Sequence, residues 1–447
     1  MVNIRLKREN QTLARFFISY ALLAKNNFMI VLLRLLPVFA SLLAIPIILK
    51  QIGTESYGVY SLYFTFISLS TILDFGYVNN NMYKFQDAYL GSNFNLAKSL
   101  YKKFLNDLFK MAGIQSMIFI FIVFPIVAIS LYTFRFNIKL DLLLATLIML
   151  CLTPFHILQN FINRTLICIN KPREALFFNS LNLVLISVML MIISKYTRSI
   201  ALLVFISTFL PLCSFLFQLL RLHKQLQFQI QDSQELKISI PKSNLSKDFT
   251  IIQTLGILFL GMDPFLMALF VTSHTIATYS IVLKVIMIPV SLMSWIQISQ
   301  LNYIRQIILN KEYDLLSEHW NLYMKKWSVL SIASIPIFSV LLQLFIKTWT
   351  NGTVDITLLE SGIAVFCMHL VFLSNYAYQI LYALENHKLS RNAMVFTVTL
   401  KILLTTAIFL FTQEFWVAFL GLSISIISVY IPITFFALRK NISKSIY

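Results

Sequence analysis

The chain has 447 residues, 58% hydrophobic and only 12% charged, with a formal net charge of +18. Soluble domains carry about 25% charged residues, so a soluble enzyme or binding module is excluded. The basic residues are scattered over short segments between apolar runs, which argues against nucleic acid as a partner.

The basic start, Met1 to Lys25, has no small-residue cleavage site of the secretory type and is expected to remain. A bilayer core about 30 Å thick needs roughly 20 apolar residues per helix. Twelve segments meet that length: 28–49, 57–79, 111–134, 140–163, 176–194, 200–220, 249–271, 277–301, 327–349, 358–384, 391–412 and 416–437. The expected fold is therefore an all-α polytopic membrane protein.

Orientation follows from charge. One side of the alternation collects 27 Lys and Arg residues and the other 6, with Arg34, Lys284 and Lys401 left inside spans. The positive-inside rule places both termini in the cytoplasm. The opposite loops are too short for a folded domain, whereas 84–110, 221–248 and 302–326 are longer and expected to be cytoplasmic loops.

An internal repeat is visible. Tyr57-Gly58-Val59-Tyr60-Ser61 opens span two, and Ile276-Ala277-Thr278-Tyr279-Ser280 opens span eight, 219 positions later. Asn170 and Asn386, after spans four and ten, are offset by 216. Six spans per half is even, so the halves share an orientation about an axis along the membrane normal. The expected organisation is an N-terminal lobe over 1–222, a cytoplasmic linker over 223–248 carrying Pro241, and a C-terminal lobe over 249–447, the lobes flanking a central cavity.

Prolines recur within the spans, and each removes a helix hydrogen bond. Static kinks are the simpler reading. Pro264, beside Asp263 and after Gly256 and Gly261, is the best candidate for a moving bend.

A charge at the bilayer centre costs about 2.5–3.5 kcal/mol on insertion scales. Arg34 lies about 9 Å and Asp74 about 8 Å from the cytoplasmic ends of spans one and two. Asp263 lies about 12 Å and Lys284 about 10 Å from the outer ends of spans seven and eight. Each depth-matched couple reads either as a structural ion pair or as a pair facing a cavity. Lys401 has no acid at matching depth in the adjacent segments and is expected to meet an anion. His156 and His369 read first as polar packing and second as proton-coupling groups. Tyr376, Tyr378 and Tyr382 read first as packing. Cys151, Cys168, Cys213 and Cys367 show no metal or redox spacing and read as small buried hydrophobes. No metal or cofactor site is expected, and no Walker A sequence is present, so ATP hydrolysis by this chain is not expected.

The run from Pro46 to Leu62, containing Gln51-Ile52-Gly53-Thr54-Glu55-Ser56-Tyr57-Gly58, and then Leu73-Asp74-Phe75-Gly76, resembles the first two spans of bacterial O-antigen and capsular polysaccharide flippases. These form the polysaccharide branch of the multidrug/oligosaccharidyl-lipid/polysaccharide superfamily. The stretch Asp263 to Pro289, with Ala277-Thr278-Tyr279-Ser280, is similar to that family's seventh and eighth spans. The resemblance implies a carrier in the bacterial cytoplasmic membrane that moves an undecaprenyl-diphosphate-linked oligosaccharide from the inner to the outer leaflet. It implies alternating access driven by an ion gradient, with a polymerase and chain-length machinery as partners. Lys401, Arg34 and Lys284 would line the headgroup site, and Asp263, Asp74, His156 and His369 would be available for ion coupling. A monomer surrounded by membrane lipids is expected, with no nucleic acid and no enzymatic activity. Two competing readings are a cation-coupled multidrug antiporter of the same superfamily and a membrane polysaccharide polymerase or ligase; the short outer loops disfavour the latter.

Overall fold

The computed structural model describes residues 32–436 apart from 69–73, 75–76, 91–92, 126–139, 170, 228–250, 253, 257, 260, 310–311 and 385–386. Most of the linker, together with Pro241, Leu73, Phe75 and Gly76, lies outside the described residues. Every regular element among them is helical, and the chain is a multi-pass membrane protein.

Among the described residues, ten helices are long and apolar enough to cross a bilayer. They correspond to ten of the twelve expected spans. The other two, spans two and seven, are described as shorter pieces. Span two runs as Thr54–Ser68 and continues as Tyr77–Leu90, with Asp74 in a turn between them. In span seven the helix bends at Met262 and restarts as Asp263–Ala268. Pro264 occupies the first turn of that restart, where its missing N–H costs nothing. It begins a helix instead of kinking one.

The expected cytoplasmic loops 84–110 and 302–326 are corrected by the structure. Helices Tyr77–Leu90 and Phe94–Ile118 meet at Asn93, whose side chain accepts from the Leu96 N–H at 3.1 Å as an N-cap. Helices Ser273–Leu309 and Tyr313–Trp349 extend through most of the second loop. Hydropathy registers only the lipid-covered length of a helix, so polar extensions read as loops. The helix Ile200–Gln227 likewise runs into what was expected to be linker. The N-terminal half has its own core among these extensions, with Phe85, Phe104, Leu108 and Phe161 all fully buried.

Helix starts in the two halves correspond. Thr54 matches Ser273, Phe94 matches Tyr313, and Ile200 matches Trp416. The separations are 219, 219 and 216. The repeat therefore extends through three helix starts of each half.

The halves meet along spans two and eight, near the charge-poor end of the molecule. Gly53, at φ 83°, ends the first helix and allows the next to begin at Thr54. One turn later Gly58 lies against the backbone of Ser273, where an added Cβ would sit 1.9 Å from the carbonyl oxygen. Ser280 Oγ donates to Ser61 Oγ at 3.1 Å. These serines are 219 residues apart, the offset of the repeat itself. Phe66 and Phe265 meet edge to face, and Trp349 Nε1 donates to the Leu42 carbonyl at 2.9 Å. The Ser61–Ser280, Tyr57–Lys284, Leu42–Trp349 and Phe66–Phe265 contacts thus join the halves in this part of the seam.

The same end is tied by caps. The Asp141 carboxylate, on span four, accepts from the Ile200 N–H at 2.7 Å and from the Ser199 hydroxyl, capping span six from a neighbouring helix. Thr357 and Glu360 form a reciprocal capping box at the start of span ten. All four cysteines are free; Cys168 and Cys367 are buried as expected, but Cys213 is exposed and Cys151 is half-buried.

Candidate transport site

Span seven supplies the charged centre of the C-terminal half. Asp263 is 0% exposed and Lys401, from span eleven, is 1% exposed. Lys401 Nζ lies 2.6 Å from Asp263 Oδ1. The same ammonium donates to the Phe259 carbonyl oxygen, one turn before Asp263, and lies 6.0 Å from the Phe259 ring centroid. Tyr279, from span eight, donates its hydroxyl to Asp263 Oδ2 at 2.5 Å. Both carboxylate oxygens are thus engaged, one by the cation and one by the phenol. This corrects two expectations: Lys401 is paired with Asp263, and the partner of Asp263 is Lys401 and not Lys284. Depth counted along sequence neighbours overlooked span eleven, which packs against the short helix Asp263–Ala268.

Lys284 is placed on the seam. Its ammonium donates to the Tyr57 hydroxyl at 3.1 Å and lies 5.2 Å from the Phe64 ring centroid and 5.7 Å from that of Tyr57. Both aromatic residues belong to the other half. Cation–π contacts of this kind contribute about 0.5–2 kcal/mol, more when water is excluded. No carboxylate pairs with Lys284 among the described residues.

Arg34 is an exposed side chain on span one. Asp74 is 1% exposed and accepts from the Val78 N–H at 3.3 Å, so it caps the helix that begins at Tyr77. His156 donates from Nε2 to the Thr208 carbonyl at 3.1 Å, joining spans four and six. His369 Nε2 meets Ser334 Oγ at 3.0 Å, and its backbone carbonyl accepts from Trp327 Nε1 at 3.3 Å. Both histidines sit in polar packing contacts. Tyr376 is fully buried; its hydroxyl meets His319 Nδ1 at 2.8 Å and its ring stacks on Tyr323 at 3.9 Å. That tyrosine is part of the packing between spans nine and ten. Tyr279, Tyr57 and Phe64 were not singled out from sequence as site residues, although Tyr279 and Tyr57 both lie in the repeat motif. No group of His, Cys, Asp and Glu suited to a metal ion occurs among the described residues.

No protein-family model matches the sequence, and no curated protein sequence does. Solved structures do match. An inward-facing multidrug-resistance MATE transporter of the MOP superfamily superposes with a TM-score of 0.63 at 12% identity, covering 90% of this chain and 96% of its own. The lipid II flippase MurJ in an inward closed conformation gives 0.59 at 14% identity, covering 94% of this chain and 89% of its own. A MOP superfamily transporter from Pyrococcus furiosus Vc1 (DSM3638), described as having a binding pocket of reverse polarity that suggests a different function, gives 0.58 at 12% identity, covering 92% of this chain and 96% of its own. The fold is that of these transporters across nearly the whole chain.

Proposed function

We propose that the protein is a flippase that carries a polyprenyl-diphosphate-linked oligosaccharide, an O-antigen or capsule repeat unit, from the inner to the outer leaflet of the bacterial cytoplasmic membrane. The polarity of the interior supports this most directly. The one described acid in the heart of the C-terminal half is neutralised internally by Lys401, whereas Lys284 stands on the seam where, among the described residues, it meets a phenol and two ring faces and no carboxylate. A seam whose uncompensated charge is positive suits a diphosphate and repels a cationic drug. Arg34 and Lys284 are our proposed headgroup contacts; Lys401 is withdrawn from that role because its ammonium is already engaged. The lipid tail would remain in the bilayer while the headgroup crosses between the halves.

On this reading both termini are cytoplasmic and the contacts along spans two and eight lie toward the outer end. Opening that end during the cycle would give access to the outer leaflet. A proton or ion gradient supplies the drive, with Asp74, His156 and His369 as the titratable groups available to it; Asp263 is withdrawn from that role because Lys401 and Tyr279 already engage its carboxylate.

The test is sidedness. Membrane vesicles from a deletion strain that lacks redundant carriers should retain lipid-linked oligosaccharide in the inner leaflet, and the intact gene should restore outer-leaflet exposure. Normal exposure without the protein would defeat the proposal. The superposition on a multidrug transporter favours a second reading, efflux of cationic compounds, which predicts drug sensitivity in the same deletion strain instead.

A further inference from the structure

The surroundings of the Lys401 ammonium are those of a monovalent-cation site. Its neighbours are one carboxylate oxygen, Asp263 Oδ1 at 2.6 Å, one backbone carbonyl oxygen from Phe259, and an aromatic face. Carbonyl and carboxylate oxygens are the donors that replace water around small cations inside membranes. Tyr279 donates to Asp263 Oδ2, and Oδ1 is the oxygen that meets the cation. Lysine brings a compact point charge on a flexible four-carbon stem. Here the stem reaches from span eleven to a carbonyl 142 residues away in sequence, and the ammonium is enclosed.

We propose that Lys401 is a tethered counter-cation: it fills a monovalent-cation site formed by Asp263 and the Phe259 carbonyl, so that no solute cation binds there in the native chain. Charge is balanced by a part of the protein that stays attached through every cycle. The C-terminal half therefore takes up no Na⁺ or organic ammonium at this position. Shortening the lysine exposes a latent site for a small monovalent cation.

Full-length protein in detergent provides the test, by thermal unfolding at constant ionic strength in sodium, methylammonium or N-methylglucamine chloride. The native chain should melt at one temperature in all three salts. Lys401→Ala should melt higher in sodium or methylammonium, with saturable concentration dependence, since a ligand that binds only the folded state stabilises it by mass action. Asp263→Asn with Lys401→Ala should lose that dependence. Lys401→Met, which keeps most of the stem volume, provides a second variant. A saturable sodium response in the native chain that Asp263→Asn abolishes would overturn the proposal. So would a folded Lys401→Ala protein indifferent to every cation. Failure of both Lys401→Ala and Lys401→Met to fold in any salt, while Asp263→Asn/Lys401→Met folds, would overturn it as well. The readout is binding, so it stands apart from the identity of the cargo.

Discussion

Replacing Gly58 by alanine should shift the protein away from the state seen here. The new Cβ would sit 1.9 Å from the Ser273 carbonyl oxygen, against a floor of 3.0 Å for real Cβ contacts. The obstacle is backbone on the facing helix, so the seam must open by at least the difference, about 1.1 Å. Overpacking of this kind costs about 1–3 kcal/mol, which corresponds to roughly a 5- to 150-fold change in an equilibrium. Alanine also improves intrinsic helix propensity by about 1 kcal/mol over glycine. That gain applies to every state in which span two is helical, so it cancels in the ratio between states. The assay is a disulfide across the same seam. Ser61 Oγ and Ser280 Oγ are 3.1 Å apart, close enough for cysteines at both positions to bridge with little backbone movement. In a background with the four native cysteines replaced, Ser61→Cys/Ser280→Cys should cross-link readily under mild oxidant. Transport should stop, and reductant should restore it. Adding Gly58→Ala should slow cross-linking at least fivefold. An unchanged rate would refute the claim that this contact belongs to the contacted part of the seam, and failure of the parent pair to cross-link would refute the seam itself.

Three further outcomes follow from the charged contacts. Lys401→Ala in N-methylglucamine chloride should destabilise the protein by about 3–5 kcal/mol, because it strands a buried carboxylate, whereas Asp263→Asn/Lys401→Met should recover much of that loss; chemical denaturation of all three proteins closes the comparison. Tyr279→Phe removes one hydrogen bond to a charged acceptor and should cost about 1.5–3 kcal/mol, read by the same method. If the proposed cargo is right, Lys284→Ala at matched expression should reduce polymer export while leaving the melting temperature within a few degrees, and Lys284→Arg should retain more export than alanine; equal export by all three would remove Lys284 from the proposed headgroup contacts.

The number and order of spans were legible because lipid imposes a length and a composition on every crossing helix. Spans two and seven were legible as apolar runs but not as interrupted helices; Asp74 and Pro264 mark both interruptions and were read first for charge and bending. The site was legible in its residue types and misassigned in its pairing. Lys401 and Asp263 are 138 positions apart, and which helices meet is decided by packing that no spacing rule encodes. Asp141 shows the same limit. It reads as an ordinary acid at the start of span four, and only the neighbouring position of Ser199 and Ile200 makes it the cap of another helix. The repeat, by contrast, was present in the sequence as two short echoes and extends through three helix starts.

The serine contact has an ancestry written into it. A residue on a two-fold axis faces its own copy, so Ser61 and Ser280 mark where a half-length ancestor would have touched a second molecule of itself through a self-complementary surface. In a single chain, unlike a dimer of identical halves, positions flanking that axis need not match. Tyr57 now corresponds to Ile276, Gly58 to Ala277, and Thr65 to Lys284. A dimer of identical halves would have had to carry such a cation twice or not at all. A single chain holds Lys284 on one side of the seam and the Tyr57 and Phe64 rings on the other.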